Sequence, residues 1–268
     1  MDKTIGFIGC GNMAKAMING IIKSNLIENK KIIVSATTEA TLKEVSTKYS
    51  IKTTISNIEV VSIADILILA VKPDKYDLVI DEIKEYIKKD SIVVGIAAGI
   101  NIGYMQNRFN KKVKIVKAMP NTPAMVGQGM TAISSSKEVG KDELQQVINI
   151  FNSFGKSEVI EESLMDAVTA VSGSSPAYVY MMIEAMADAA VVEGMSRKTA
   201  YKFASQTVLG AAKMILDTEM HPGELKDRVC SPSGTTIEAV AALEENGFRS
   251  SIIEAMRVCA AKSKEMTK

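Results

Sequence analysis

The chain has 268 residues, a length that exceeds one compact core and suits two domains. Apolar residues make up 47% of the chain and charged residues 24%, which are ordinary values for a soluble globular protein. Lys and Arg total 32 against 31 Asp and Glu, and Trp is absent. This composition argues against a nucleic-acid partner and against binding to an anionic membrane surface.

The beginning of the chain and its cysteines both favour the cytoplasm. Asp2 and Lys3 lead directly into an apolar strand pattern, so no secretory signal is expected. The cysteines, Cys10, Cys230 and Cys259, are odd in number and widely spaced. They predict neither a disulfide framework nor a zinc site. We therefore expect a cytoplasmic protein without a bound metal.

In the first part of the chain, short β-branched runs alternate with amphipathic stretches. Strands are predicted at residues 4–8, 31–35, 66–71, 92–96, 114–118 and 130–134. Helices are predicted at residues 12–24, 39–49, 74–88 and 137–153. Several strands are apolar throughout, as expected of parallel strands covered on both faces. The alternation predicts an α/β fold, a Rossmann-like doubly wound parallel sheet over residues 1–161.

In the second part of the chain, the apolar pattern has a helical period only. Helices are predicted at residues 176–193, 197–217, 234–246 and 249–266. Ser175 is expected to cap the first of them, while Gly194 and Gly247 lie where helices should end. Several methionines are predicted to fill the core, namely Met181, Met182, Met186, Met214 and Met256. Residues 162–268 are thus predicted to form an all-helical domain.

A glycine-rich loop follows the first predicted strand. It has the pattern G-x-G-x-x-A, with Gly9, Gly11 and Ala14 at the fixed positions. Gly9 permits a tight turn, Gly11 lets the backbone approach a pyrophosphate, and Ala14 lets the helix pack closely on the strand. The helix N-terminus adds N–H donors and a positive dipole. At this place in an α/β domain the pattern predicts a dinucleotide site; the alternative is a turn without a ligand.

The end of the second predicted strand bears on the kind of dinucleotide. An NAD-dependent enzyme usually places Asp or Glu there to hold the ribose 2′-hydroxyl. Here the strand runs into Ser35, Ala36, Thr37 and Thr38, with no acidic residue before Glu39. No carboxylate repels a 2′-phosphate, and the hydroxyl groups can bond to it. These residues favour NADPH, with NADH as the alternative because no Arg is present to pair with the phosphate.

Two more loops follow the predicted strands 66–71 and 92–96. The carboxyl ends of strands face the ligand crevice in open α/β sheets. The loops consist of Ala70, Val71, Lys72 and Pro73, and of Ala97, Ala98 and Gly99. Lys72 is a catalytic group or a phosphate contact on one interpretation, and a solvated lysine before a proline turn on the other.

A second cluster of candidate residues lies in the helical part. The loop at residues 229–236 combines the free N–H groups of a helix start with the hydroxyls of Ser231, Ser233, Thr235 and Thr236. Such a site suits a small carboxylate better than a bulky phosphate ester. Capping by Ser or Thr is the alternative interpretation, but a cap uses one hydroxyl. The surplus of hydroxyls favours a binding site.

The residue types that are missing restrict the chemistry. His221 is the only histidine and precedes Pro222 at an expected helix start, so we expect it to be structural. A Ser-His-Asp or Cys-His device and a histidine-based metal site are therefore disfavoured. Glu184 and Asp188 are four apart on an otherwise apolar helix, and we interpret them as a solvated or subunit-facing polar stripe rather than an acid pair.

A series of short motifs extends over nearly the whole chain. They occupy residues 6–14, 70–73, 119–123, 172–178, 225–227, 231–237 and 247–249. In this order they resemble the pyrroline-5-carboxylate reductase family. The resemblance implies an oxidoreductase that uses NADPH to reduce 1-pyrroline-5-carboxylate to L-proline, the last step of proline biosynthesis.

The resemblance also implies roles for individual residues. It implies that NADPH is bound by Ile8, Gly9, Cys10, Gly11, Asn12, Met13, Ser35, Ala36, Thr37, Asn57, Ala70, Val71, Lys72, Pro73, Ala97, Ala98 and Gly99. It implies that the substrate is bound by Glu219, Val229, Ser231, Gly234, Thr235 and Thr236. Family members typically form dimers through interwoven helical domains, often assembled into decamers of five dimers. A homodimer is therefore expected, with a decamer as the larger assembly.

Three positions depart from the family pattern. Ser175 and Ser233 stand where the family usually has Gly. Since Ser233 lies in the substrate loop, the geometry or the affinity of carboxylate binding is expected to differ. Some relatives carry Arg in the region where Thr37 stands, and this difference bears on the choice of cofactor.

An imine substrate agrees with the lack of a strong acid or base. A protonated imine is already a good hydride acceptor, so the protein needs chiefly to orient two reactants, an effect of up to ~7–11 kcal/mol. We expect residues 234–236 to hold the carboxylate. Thr236 is expected to be catalytic, with its hydroxyl bonded near the ring nitrogen.

Three alternative functions differ in how well the sequence fits them. A 3-hydroxyacid dehydrogenase with the same two-domain plan uses a lysine on its long helix, and residues 176–193 contain none. A reductase of a larger cyclic imine, such as a piperideine carboxylate, stays open. A non-catalytic nucleotide-sensing protein is opposed by the intact substrate loop.

Overall fold

The computed structural model describes residues 1–267 and divides them into two compact units. The first unit consists of Met1–Ser174 together with the end of the chain from Cys259, and the second of Ser175–Val258. The predicted boundary after residue 161 does not coincide with this division, because residues 162–174 belong to the first unit.

The first unit is built on a single sheet of eight strands. In chain order they are β1 (Ile5–Ile8), β2 (Ile32–Ser35), β3 (Lys52–Thr54), β4 (Ile66–Leu69), β5 (Ile92–Gly95), β6 (Lys114–Met119), β7 (Gly129–Ser135) and β8 (Gly155–Val159). Their order across the sheet is β3-β2-β1-β4-β5-β6-β7-β8. Neighbouring strands are parallel except β6 and β7, which are antiparallel. The carboxyl ends of β1, β2, β4 and β5 therefore share one edge.

Helices cover both faces of this sheet. They are α1 (Asn12–Lys23), α2 (Glu39–Tyr49), α3 (Asn57–Ile63), α4 (Tyr76–Ile83), α5 (Ile102–Phe109), α6 (Lys141–Asn152) and α7 (Met165–Val168). Side chains alternate along the buried strands, so that Ile66 and Ile68 pack in one apolar cluster while Leu67 and Leu69 pack in another. The first cluster includes α1, α2 and α6, and the second includes α3, α4 and α5. The predicted doubly wound α/β fold is confirmed.

The second unit contains only helices among the described residues. They are α8 (Ser175–Val192), α9 (Arg197–Thr218), α10 (Pro222–Val229), α11 (Thr235–Glu245) and the first part of α12 (Phe248–Met266). Gly194 and Gly247 have φ of +93° and +71° at the helix ends where they were expected. The expected cap at Ser175 is wrong, because a π-helical turn, Thr169–Ser174, runs directly into α8 and leaves Ser175 inside helical structure.

The helices of the second unit enclose very little interior. Its buried apolar residues are alanines, Ala187, Ala200 and Ala204. The prediction that the methionines fill a core is wrong for Met181, Met186 and Met214, and Met181 is 68% exposed. Their apolar side chains face outward in the single chain. A surface of this kind is typical of a protein–protein interface.

Among residues 1–267, no helix combines the length and the hydropathy needed to cross a membrane. The described residues also form no cluster of His, Cys, Asp and Glu suited to a metal ion. The three cysteines are free.

Candidate active site

The loop between β1 and α1 requires a glycine at its first position. Gly9 has φ of +91°, in the left-handed region that side chains disfavour. A Cβ atom on Gly9 would lie 2.6 Å from the carbonyl oxygen of Ala70, at the end of β4. The Gly9 N–H donates to the carbonyl oxygen of Ser35, at the end of β2, over 3.0 Å. This turn therefore ties together the ends of three parallel strands.

The start of α1 fits a pyrophosphate. Gly11 precedes the helix, and no side chain caps its N-terminus. A Cβ atom on Gly11 would meet nothing within 4 Å, so the backbone is open to a ligand on that side. Ala14 is buried against the sheet, as its place in the motif predicts. Uncapped N–H groups beside open space are the arrangement by which helix N-termini bind phosphates.

The other residues expected in this loop differ in exposure. Asn12 is exposed, and Cys10 and Met13 are half-buried. Burial raises the pKa of the Cys10 thiol, with opposing effects from Lys15 and Glu44, so Cys10 remains protonated at neutral pH. Ile8 is buried, so only its backbone is available to a cofactor.

The end of β2 offers fewer free hydroxyl groups than the sequence suggested. The buried Ser35 hydroxyl donates to Asn57 Oδ1 over 2.7 Å, and the Asn57 amide donates to Glu82 over 2.8 Å. The structure thus brings Ser35 and Asn57 together, but their polar groups are engaged. Thr38 caps α2. Thr37 is exposed, and its side chain forms no hydrogen bond within residues 1–267, so its hydroxyl is available to a 2′-phosphate.

The loops after β4 and β5 lie at the same edge of the sheet as the glycine-rich loop. Lys72 is exposed and has no ion-pair partner within the described part of the chain. Because this unpaired lysine follows the carboxyl end of a strand, its interpretation as a phosphate contact is favoured over that of a solvated lysine. After β5, Gly99 has φ of +73°, and a Cβ atom there would lie 2.7 Å from the carbonyl oxygen of Met266. The backbone of Met266 and Thr267 therefore packs against Gly99.

Two buried polar side chains near this loop were missed by the sequence analysis. Tyr76, at the start of α4, bonds to the backbone at the ends of β4 and β5. Lys117, on β6, donates to the carbonyl oxygen of Ala97. Lys117 did leave a signal in the sequence, since it is a charged residue inside an otherwise apolar stretch of a predicted buried strand. Tyr76 left none, because a tyrosine at a helix start is ordinary.

The hydroxyl-rich loop of the second unit leads into α11 without a side-chain cap. Gly234 occupies the capping position, and its N–H donates to the carbonyl oxygen of Ser231 over 3.1 Å. A Cβ atom on Gly234 would overlap the Ser231 hydroxyl, which explains the glycine. The alternative that these hydroxyls serve as caps is therefore wrong. The N–H groups at the start of α11 remain open to an anion.

The expected substrate residues of this loop lie at its surface. Val229, Ser231 and Thr235 are exposed, while Thr236 is half-buried. Ser233 adopts φ of +56°, a left-handed conformation that glycine would adopt without strain. Glu219 ends α9 in a left-handed conformation and is also exposed. No hydrogen bond joins the Glu219 side chain to this loop among the described residues.

The remaining polar candidates of the second unit have structural roles. His221 caps α10, where its Nδ1 atom accepts a hydrogen bond from the Gly223 N–H over 3.1 Å. The expectation that it is structural is confirmed. Glu184 and Asp188 are exposed, and Asp188 pairs with Arg197. Their exposure agrees with a solvated or subunit-facing polar stripe rather than an acid pair.

Family models match both parts of the chain. Residues 162–266 match the family model described as pyrroline-5-carboxylate reductase dimerisation. Residues 4–99 match the model described as NADP oxidoreductase, coenzyme F420-dependent. A pyrroline-5-carboxylate reductase of Escherichia coli K12 is 50% identical, and the match covers 100% of both chains.

Solved structures of the same family have the same fold. A pyrroline-5-carboxylate reductase of Coxiella burnetii superposes with a TM-score of 0.95 at 33% identity, over 100% of both chains. The pyrroline carboxylate reductase of Plasmodium falciparum, solved with NADP bound, gives a TM-score of 0.90 at 34% identity, over 100% of this chain and 99% of the other. The resemblance inferred from the sequence motifs is confirmed. The chain belongs to the pyrroline-5-carboxylate reductase family.

Proposed function

We propose that the chain reduces 1-pyrroline-5-carboxylate to L-proline with NADPH, as the last step of proline biosynthesis. Its sequence identity of 42–50% to pyrroline-5-carboxylate reductases, over the full length of the chain, supports this reaction. One structural observation carries it, namely that α11 begins without a side-chain cap, next to a loop whose hydroxyls at positions 231–236 form no hydrogen bond within residues 1–267. That combination suits the carboxylate of a small substrate.

In the first unit, Gly9, Gly11 and the start of α1 would hold the pyrophosphate of NADPH, and Lys72 would contact a phosphate. Thr37 would donate to the 2′-phosphate. Asn57 would act mainly through Ser35, since the two are bonded to each other. Residues 97–99 would lie against the nicotinamide. NADPH, when bound, supplies the hydride from C4 of the nicotinamide to the imine carbon.

In the second unit, the N–H groups of Thr235 and Thr236 and the nearby hydroxyls would orient the substrate carboxylate. The Thr236 hydroxyl would bond near the ring nitrogen and hold its proton in place. Since a protonated imine already accepts hydride readily, orientation can supply most of the rate enhancement, up to ~7–11 kcal/mol. A strong acid or base beside the loop is then not required.

The assembly is proposed to be a homodimer formed through residues 162–266, with five dimers in a decamer. The match to a dimerisation model and the outward-facing apolar side chains of the second unit support the dimer. Light scattering coupled to size exclusion would separate a dimer from a decamer by mass. The cytoplasmic location favoured by the free cysteines stays a prediction.

The proposed reaction is tested by the loss of NADPH absorbance in the presence of pyrroline-5-carboxylate. The same assay is run with NADH, and with piperideine carboxylate as the larger imine. Consumption that depends on the five-membered imine and is faster with NADPH supports the proposal. No consumption with either cofactor contradicts it, and faster reduction of the larger imine reassigns the substrate.

A further inference from the structure

The loop that follows β5 is held by a buried tyrosine. Tyr76 is 0% exposed, and its hydroxyl donates to the carbonyl oxygen of Leu69, at the end of β4, over 2.8 Å. The same oxygen accepts hydrogen bonds from the N–H groups of Ile96 and Ala97, at 3.1 and 3.2 Å. Burial raises the pKa of Tyr76, so the hydroxyl keeps its proton at any ordinary pH. One phenol therefore joins the ends of two central strands.

A buried lysine holds the same loop through a different backbone group. Lys117 lies on β6, is 4% exposed, and donates from Nζ to the carbonyl oxygen of Ala97. It lines a cavity of about 50 Å³ together with Gly99, Glu162 and Asp166. No carboxylate of residues 1–267 lies within ion-pair distance of Lys117. The N–H and the carbonyl of Ala97 are thus held separately by two buried side chains.

Stability alone does not account for the lysine. Burial lowers the pKa of Lys117 to about 8, and the Glu162 carboxylate offsets this only in part. A buried ammonium group without an ion-pair partner destabilises the folded state. An apolar side chain of similar length would fill the position without that cost. Position 117 therefore carries an ammonium group that destabilises the folded chain, and destabilising buried groups of this kind cluster at functional sites.

We propose that Tyr76 and Lys117 are positioning residues for hydride transfer, which fix the two peptide groups flanking Ala97 and thereby the surface that residues 97–99 present to the nicotinamide. This inference rests on the proposed function. Hydride transfer depends steeply on the distance and angle between donor and acceptor, so that a shift of about 1 Å can cost about a hundredfold in rate. Two independent hydrogen bonds to one residue leave its loop little freedom to shift.

The test compares variants that remove each contact with matched controls. Lys117→Met removes the donor to Ala97, and Lys117→Arg retains one. Tyr76→Phe removes the bridging hydroxyl. One control is Lys114→Met, at the start of β6, where Lys114 pairs with Glu143 over 2.6 Å. The other is Tyr49→Phe, which removes one hydroxyl of α2 that donates to the Lys15 carbonyl oxygen of α1 over 3.5 Å.

We expect Lys117→Met and Tyr76→Phe to lower kcat by about ten- to a hundredfold, with KM for the imine changed less than about threefold. The isotope effect on kcat with NADPH deuterated at the transferred position should rise, because hydride transfer becomes the slow step. Lys117→Arg should restore most of kcat, and the two controls should stay within about twofold of the unmodified chain.

Wild-type turnover is measured in the same assay, so the two proposals fail in different ways. An inactive wild-type chain overturns the proposed function. An active wild-type chain with an unchanged kcat in Lys117→Met overturns the positioning role, as does an equal loss in Lys114→Met. A kcat that falls without any rise in the isotope effect also overturns it, since the loss then lies outside hydride transfer.

Discussion

Replacing Lys117 with methionine should change how the free energy of unfolding depends on pH. In the unfolded chain this lysine has its ordinary pKa of 10.5, whereas burial lowers the pKa to about 8 in the folded chain. The gap of about 2.5 pKa units corresponds to roughly 3 kcal/mol at ~1.36 kcal/mol per unit. The folded chain bears this cost at neutral pH because the ammonium group is buried.

The sign of the effect follows from proton binding. Between pH 8 and pH 10.5 the unfolded chain binds more protons at this group than the folded chain does. The contribution of Lys117 to stability therefore rises with pH through this window, and its full cost is present below pH 8. The methionine variant lacks this contribution at every pH.

The variant also loses the hydrogen bond to Ala97, and an unpaired buried carbonyl costs about 1–3 kcal/mol. At pH 7 we expect Lys117→Met to be as stable as wild type or up to about 2 kcal/mol more stable. At pH 10 we expect it to be less stable by up to about 2 kcal/mol, because most of the cost of the lysine has then disappeared. The difference between variant and wild type should thus change by roughly 2–3 kcal/mol.

Urea unfolding followed by circular dichroism, at one protein concentration and at both pH values, measures this change. Lys114→Met serves as the control, because Lys114 is paired with Glu143 and the neighbouring glutamate raises its pKa. If the difference between Lys117→Met and wild type is the same at pH 7 and pH 10, Lys117 is not a buried charge and the reasoning fails.

Three more predictions concern the two proposed binding sites. Thr236→Ala should lower kcat by about ten- to a hundredfold with NADPH binding unchanged in a fluorescence titration, whereas Thr236→Ser should retain most activity; equal loss of NADPH binding would exclude a role at the imine. Thr37→Glu should raise KM for NADPH by about tenfold or more, through repulsion of the 2′-phosphate, and leave KM for NADH nearly unchanged; parallel changes would contradict that contact. Ser233→Gly should raise the free energy of unfolding by about 0.5–1 kcal/mol, because glycine adopts the left-handed conformation without strain. Ser175→Gly, inside helical structure, should lower the free energy of unfolding by a similar amount. A change of the same sign in both variants would contradict this prediction.

Most of the fold could be predicted because its longer strands and helices have a clear pattern of apolar residues. The buried strands β1, β2, β4 and β5 are runs of Ile, Val and Leu, and α2 was predicted with its observed ends. Five elements of the first unit were absent from the prediction, namely β3, β8, α3, α5 and α7, the last a helix of four residues. β3 has three residues, Lys52–Thr54, and β8 is polar and partly exposed, so neither has the apolar alternation of a strand. The helices α3 and α5 have seven and eight residues, too few for a clear helical period.

The side-chain partners in the site could not be predicted from sequence. The pattern at the end of β2 suggested several hydroxyls free for a phosphate, but Ser35 turns inward to Asn57 and Thr38 caps a helix. Ser35 and Asn57 are 22 positions apart, and only the folded structure brings them together. The Thr38 cap is a local contact with the Thr41 N–H, but the sequence does not show which of the neighbouring hydroxyls forms it. The exposure of Met181 has a similar origin, because periodicity shows which face is apolar but not whether it covers a core or a partner subunit.

In the proposed function, this chain moves hydride from NADPH to the imine carbon of 1-pyrroline-5-carboxylate. The most direct measurement incubates the protein with the imine and NADPH deuterated at the transferred position, and analyses the product by mass spectrometry and NMR. We predict L-proline with one deuterium, located on Cδ, the carbon next to the ring nitrogen that does not bear the carboxylate. Unlabelled proline, or no proline while the wild-type chain is folded and binds NADPH, would contradict the claim.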